Sequence, residues 1–198
     1  MDGSVYEYQP SFILGFHGCQ KSVGEAILSG KERHLKPSEK KWDWLGHGIY
    51  FWEGNLSRAW EWAYDRQAES KIDEPFVIGA IIDLRHCLDL FVREAMRQVS
   101  ATHIALTDAF LKINQPMPQN TGPTPDKAGR QLDCLVMNAL HSIREESAQQ
   151  AYDSVRGPFL EGEPIYAGAG FRSHSHIQIC LRSTACIKGY FRPIGGKD

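Results

Sequence analysis

Two short stretches carry side chains whose types and order could do chemistry. His17 and Gly18 close the apolar run of residues 12–16, and Tyr50 sits inside Gly46-His47-Gly48-Ile49-Tyr50-Phe51. A histidine at a strand end can hydrogen-bond a hydroxyl, and a glycine after it lets a flat amide approach the backbone N–H and C=O. A tyrosine on a facing strand can stack on a flat, positively charged ring. A third position is Gln178. In the run Ser175-His176-Ile177-Gln178-Ile179-Cys180-Leu181-Arg182, alternation buries the isoleucines and the leucine and turns His176, Gln178, Cys180 and Arg182 to the other face. Glu161 and Glu163, in a Gly- and Pro-rich loop just before this run, are candidate carboxylates. Singly, each of these residues is also what a packed core uses. Their order along the chain makes them a constellation.

Other chemistries have weaker support. His174 and His176 form an HxH pair that would need His103 or Cys180 as a third zinc ligand. His103 falls on the apolar stripe of a long helix and is expected in the core, so no metal is expected. The five cysteines (Cys19, Cys87, Cys134, Cys180, Cys186) include no CxxC pair. No nucleophile signature surrounds Cys19 or Cys180, and buried thiols are expected. Gly168-Ala169-Gly170 does not open a helix after a strand, so it is not a dinucleotide fingerprint.

The elements that must hold these residues follow from periodicity. Residues 12–17 read as a buried strand ending at His17. Ser22 with Glu25 reads as a capping box for a short helix stopped by Gly30. Residues 49–52 form a second strand with Tyr50 and Trp52 on one face. Asn55 caps a helix whose stripe is Leu56, Ala59, Trp60, Ala63 and Tyr64. Residues 76–83, begun by Pro75, are apolar on both faces and read as a central strand. Val92, Met96, Val99, His103, Leu106, Phe110 and Ile113 mark a long amphipathic helix. A proline-rich loop over residues 115–126 separates it from a second helix with the stripe Leu132, Leu135, Val136, Ala139, Leu140 and Ile143. After an irregular stretch beyond Pro158, strands at residues 176–183 and 185–192 are expected to close the chain as a hairpin.

The chain has 198 residues, 42% hydrophobic and 23% charged, with a net charge of -2. That is ordinary for one globular domain. It lacks the overall basic charge that drives non-specific nucleic-acid binding. The acidic start has no secretory pattern, and no run approaches eighteen apolar residues. The expectation is a cytoplasmic protein with no membrane segment. Residues 1–198 are expected to form one α+β domain, with a helical insertion at about 89–150.

Residues 15–64 resemble, motif by motif, the catalytic domains of ADP-ribosyltransferases of the poly(ADP-ribose) polymerase and diphtheria-toxin branch. The matching motifs are His17-Gly18, Ile27-Leu28-Ser29-Gly30, Gly46-His47-Gly48-Ile49-Tyr50-Phe51, and the alanine- and aromatic-bearing stretch Ala59 to Tyr64. The resemblance implies two small, mainly antiparallel sheets in a split β-sandwich. It implies NAD⁺ as co-substrate and transfer of ADP-ribose to a protein or nucleic-acid acceptor, without metal. By the same resemblance, His17 and Gly18 anchor NAD⁺, Gly48 lines the site, and Tyr50 stacks on the nicotinamide. Trp60 and Tyr64 share the expected core stripe, which leaves Trp62 or a later loop residue as the second wall.

The family carries a glutamate on a late strand, and this chain has Gln178 as its natural equivalent. His-Tyr-Gln points to transfer of a single ADP-ribose, with a binding module of weak or absent activity as the alternative. His176, Glu161 and Glu163 are the candidate auxiliaries, and residues 161–173 occupy the family's target-reading position. A toxin or phage-conflict role fits a free-standing domain of this kind.

Overall fold

The computed structural model describes residues 11–122, 127 and 129–194. The reading of the amino-terminal ten residues, and residues 123–126 of the proline-rich loop, lie outside them. Among the described residues the order is β1 (Ile13–Gln20), α1 (Lys21–Leu28), β2 (Ile49–Glu53), α2 (Leu56–Ala68), β3 (Pro75–Ile82), β4 (Cys87–Asp89), α3 (Arg93–Lys112), α4 (Gln131–Glu146), β5 (Ser154–Phe159), β6 (His176–Leu181) and β7 (Ile187–Phe191). The architecture is α+β.

The strands form one mixed sheet in the order β4-β5-β6-β2-β1-β3-β7, in place of the two small sheets expected. All neighbours are antiparallel except β4 and β5, which the two long helices connect. The sheet is nevertheless nearly split. β1 and β3 pair from Ile13↔Ile82 to Gln20↔Pro75, whereas β1 and β2 pair only at Gly15↔Glu53 and Phe16↔Trp52. This thin joint holds a four-stranded half to a three-stranded half.

The expected closing hairpin does not form. β6 pairs with β2 and β5, while β7 lies at the far edge on β3. A 3₁₀ turn at Thr184–Cys186 makes the crossing, and the Asp83 N–H donates to the Cys186 C=O, tying the turn to the end of β3. β4 and β5 were not foreseen. The first is three residues long, and the second contains Gly157 and Pro158, residues that weaken a strand signal; Pro158 lies past the last β4 rung, Asp89↔Arg156.

Three groups of buried side chains fix the layers. Ile49, Phe51, Ile78, Ile82 and Ile179 pack with Ile27 of α1. Leu45, Val155 and Cys180 pack with Met137 and Leu140 of α4. Phe16, Trp52 and Val77 pack with Ala59 of α2. Asn55 caps α2 as expected, its Oδ1 accepting from the Arg58 N–H at 3.0 Å. The inner face of α2 differs from the expected stripe, because the small Ala59 and Ala63 are what bring the helix close to the sheet. Tyr64 is exposed and stacks on Trp60.

Ser22 is not a cap either. α1 begins at Lys21, so Ser22 lies inside it, and Gln20 precedes the helix without a side-chain cap bond. α3 packs on α4 but buries only Ala95 and Thr102, leaving Met96 and His103 of its stripe exposed. No helix among the described residues is long and apolar enough to cross a membrane.

His141 in α4 is buried beside Tyr152, and neither ring nitrogen has a hydrogen-bond partner. Burial, then Arg182 and Arg144, push its pKa down to about 3. The folded state therefore holds a neutral ring that an unfolded chain protonates below about 6.5. This contribution is intact above pH 6.5 and lost as the pH falls, with a limiting slope of about 1.4 kcal/mol per pH unit. We predict that His141→Leu flattens the fall in unfolding free energy between pH 6.5 and 4, measured by urea titration; a slope equal to wild type would contradict the assignment.

Candidate functional site

The site begins where β1 and β2 part. Backbone groups of alternate strand residues point to the same neighbour. The Gly54 N–H donates to the Leu14 C=O, and the Lys21 N–H donates to the Glu74 C=O on the opposite side. Leu14, Phe16 and Gly18 therefore face β2, while the odd-numbered residues of β1 face β3. After Phe16↔Trp52 the next hydrogen-bonded rung would pair Gly18 with Tyr50, and that rung is not formed. One step further along β2, Ser38 takes the place of β1 and pairs with both backbone groups of Gly48. The seam is thus one rung tall, with Gly18 on one wall and Tyr50 on the other.

His17 occupies the seam's far side. Its Nδ1 lies 2.7 Å from the Tyr50 carbonyl oxygen, the acceptor that a Gly18 N–H would otherwise take. A carbonyl only accepts, so Nδ1 carries the proton and Nε2 presents a lone pair. Burial lowers the His17 pKa, the Tyr50 bond opposes this, and Lys40 adds to the lowering, so the ring is neutral. The sequence reading put His17 at a strand end. β1 in fact continues to Gln20 against β3, and His17 lies just past the end of the ladder toward β2.

Tyr50 is fixed at its other end. Its hydroxyl donates to the Gly46 C=O at 2.8 Å and accepts from the Leu45 N–H at 2.9 Å, and burial pushes its pKa up. Gly46 has φ +83, a conformation glycine adopts without strain. The neighbouring His47 N–H donates to Asn138 Oδ1 of α4 at 3.0 Å. Gly48 has a packing reason to be glycine, since a Cβ there would lie 2.5 Å from the Leu181 carbonyl oxygen. With its N–H and C=O both on Ser38, it shapes the turn and leaves the open backbone to Gly18.

The structure brings Trp62 into this group. A Cβ on Gly18 would meet the Ala59 carbonyl oxygen at 2.6 Å and the Trp62 ring at 2.9 Å. The Trp62 ring lies 6.5 Å from His17 and 6.0 Å from Trp52, with Arg66 over it at 5.4 Å.

Gln178 is the cross-strand neighbour of Trp52. Its Oε1 accepts from Trp44 Nε1 at 2.6 Å. Indole N–H only donates, so this bond orients the amide and leaves its NH₂ as the freer end. Trp44 escaped the sequence reading. Its signal was Trp42-Asp43-Trp44 at the end of a polar loop: buried Asp43 accepts from Ser38 Oγ and the Lys40 N–H, which folds the loop and turns Trp44 inward.

Of the two candidate carboxylates, Glu161 lies beside β6 and Glu163 is exposed. Glu161 pairs with Arg58 at 3.0 Å and lies 3.8 Å from His176 Nδ1. Glu53 is another carboxylate the sequence reading passed over. It is held by Arg156 at 2.6 and 2.9 Å in a network that includes Asp89, which raises the Arg156 pKa.

The Cys19 and Cys180 thiols are buried, and burial pushes Cys19 up to about 11 and Cys180 higher still. Among the described residues no group of three or more His, Cys, Asp or Glu is placed to hold a metal ion. Comparison of the chain with protein-family models, curated proteins and solved structures found no match.

Because a side chain at position 18 would enter the Ala59 carbonyl and the Trp62 ring, we predict that Gly18→Ala destabilises the fold by about 1–3 kcal/mol. Trp44→Phe, which removes the donor to Gln178, should cost about 1 kcal/mol. Denaturant midpoints report both; a Gly18→Ala midpoint equal to wild type would show that α2 does not pack as described.

Proposed function

We propose that the chain is an NAD⁺-dependent mono-ADP-ribosyltransferase, a glycosyltransferase that opens the nicotinamide–ribose bond and passes ADP-ribose to a macromolecular acceptor. The observation that carries this reading is the vacant rung. A carboxamide is an N–H donor and a C=O acceptor held in one plane, and so is the backbone of Gly18 facing the seam. Nicotinamide entering there completes the rung that His17 keeps open. Tyr50 and Trp62 supply the aromatic walls, and the neutral His17 presents Nε2 as acceptor to a ribose hydroxyl.

In this reading NAD⁺ ionises at the anomeric carbon. The nicotinamide leaves with the bonding electron pair, and an acceptor nucleophile adds to the cationic sugar and gives up its proton. The acceptor, protein or nucleic acid, enters over the loop between β5 and β6, where Leu160, Ile165, Tyr166 and Phe171 are exposed. Gln178 orients the ribose from β6.

A second reading has its own support. Gln178 carries no charge, and its oxygen is already bound to Trp44, so it offers little electrostatic help to a developing cation. A module that binds NAD⁺ or ADP-ribose without turning it over fits that feature. Only interactions stronger in the transition state accelerate the reaction, so binding and release must be measured together.

Calorimetry with NAD⁺ and an assay of nicotinamide release test both readings. The enzyme reading predicts binding and release in the wild type. His17→Ala should weaken binding about tenfold, and Gln178→Ala should bind normally but release nicotinamide more slowly. Equal release by Gln178→Ala and wild type would remove Gln178 from the reaction. Binding without release would select the second reading, and no binding would contradict both.

A further inference from the structure

His176 sits on the same face of β6 as Gln178, one step toward the loop. Its side chain is 1% exposed. Nδ1 lies 2.7 Å from the His174 carbonyl oxygen, so that nitrogen carries the proton and Nε2 is a bare acceptor. Nε2 is buried and has no partner. The ring is held in place by stacking on Phe159, centroids 5.3 Å apart, and it lies 6.3 Å from the Trp52 ring. Burial lowers its pKa, with the His174 bond and Glu161 opposing and Arg58 adding to the lowering, which keeps Nε2 a lone pair at neutral pH.

The side chains next to it carry two unanswered donors. Trp52 Nε1 is buried without a partner, and so is Arg58 Nε. The Arg58 guanidinium lies over the Trp52 ring at 6.0 Å, anchored at its other end on Glu161. What sets these three apart is that they belong to neighbouring side chains, one acceptor and two donors, each a group that favours a hydrogen-bond partner. The occupant must donate to His176 and accept from Trp52 and Arg58. A hydroxyl does both, and a pair of adjacent hydroxyls can serve all three atoms. A carboxylate cannot donate to His176, and an ammonium cannot accept from Trp52.

We propose that His176, Trp52 and Arg58 form a hydroxyl-binding subsite that takes the diol of the nicotinamide ribose. The inference rests on the NAD⁺ reading and adds, next to Gln178, a second contact to the ribose. Gln178, tied to Trp44 through its oxygen, keeps its own place beside the sugar.

The test is a thermodynamic cycle on ligand and protein, read by calorimetry. Wild type is titrated with NAD⁺ and with the analogue lacking the 2′-hydroxyl of the nicotinamide ribose. Both titrations are repeated with His176→Asn, which keeps a donor near the His174 carbonyl and loses the Nε2 acceptor. The proposal expects wild type to favour NAD⁺ about tenfold, His176→Asn to show no preference, and His176→Gln, whose Oε1 reaches the place of Nε2, to recover part of it. Trp52→Phe should also reduce the preference, and it decides the question if His176→Asn does not fold. A full preference retained in His176→Asn, or in Trp52→Phe where it decides, would overturn the subsite while leaving the NAD⁺ reading in place. So would a wild type that does not discriminate. No binding of either ligand would overturn the subsite and the reading together.

Discussion

The hydrogen bond from His17 Nδ1 to the Tyr50 carbonyl is the interaction on which the rest depends. Two neighbouring antiparallel strands ordinarily continue to pair until one of them ends. β1 runs on past Phe16 and β2 extends back to Ile49, yet the pairing between them stops. A side chain has taken the acceptor that the next backbone donor needed, and the Gly18 backbone is left unpaired with β2. Burial keeps the imidazole neutral, so its second nitrogen can receive a hydroxyl.

Other elements keep the seam at its width. α2 approaches through Ala59 and Ala63, close enough that only glycine fits at position 18, and it carries Trp62 to the opening. On the other side α4 holds the His47 backbone through Asn138, and the adjacent Gly46 carbonyl receives the Tyr50 hydroxyl. The loop before β2 adds Trp44, which fixes Gln178. α1 and α2 each pack on strands of both halves, which share their core across a joint of two residue pairs, while α4 packs on the four-stranded half alone.

Much of this was legible in the sequence because it rests on local signals. The His17-Gly18 pair, the Gly46–Phe51 strand entry and the Asn55 cap all have short-range signatures, and the structure assembles His17, Gly18, Tyr50 and Trp62 as neighbours. Long-range pairing was not legible. Nothing in the residues at 185–192 says that this strand joins β3 instead of β6, because both neighbours offer an apolar edge. β5 was hidden by its Gly and Pro, and the stripe of α3 misled because much of it packs against nothing among the described residues. Trp44 and the unanswered nitrogen of His176 appear only once the sheet order brings β6 beside β2.

The most direct test of the central claim is amide hydrogen exchange at Gly18, followed by NMR with and without NAD⁺. The account predicts that the Gly18 amide exchanges much faster than that of Phe16 in the free protein and becomes protected when NAD⁺ is added. A Gly18 amide already as protected as Phe16, and unchanged by NAD⁺, would mean that the seam is closed and the account is wrong.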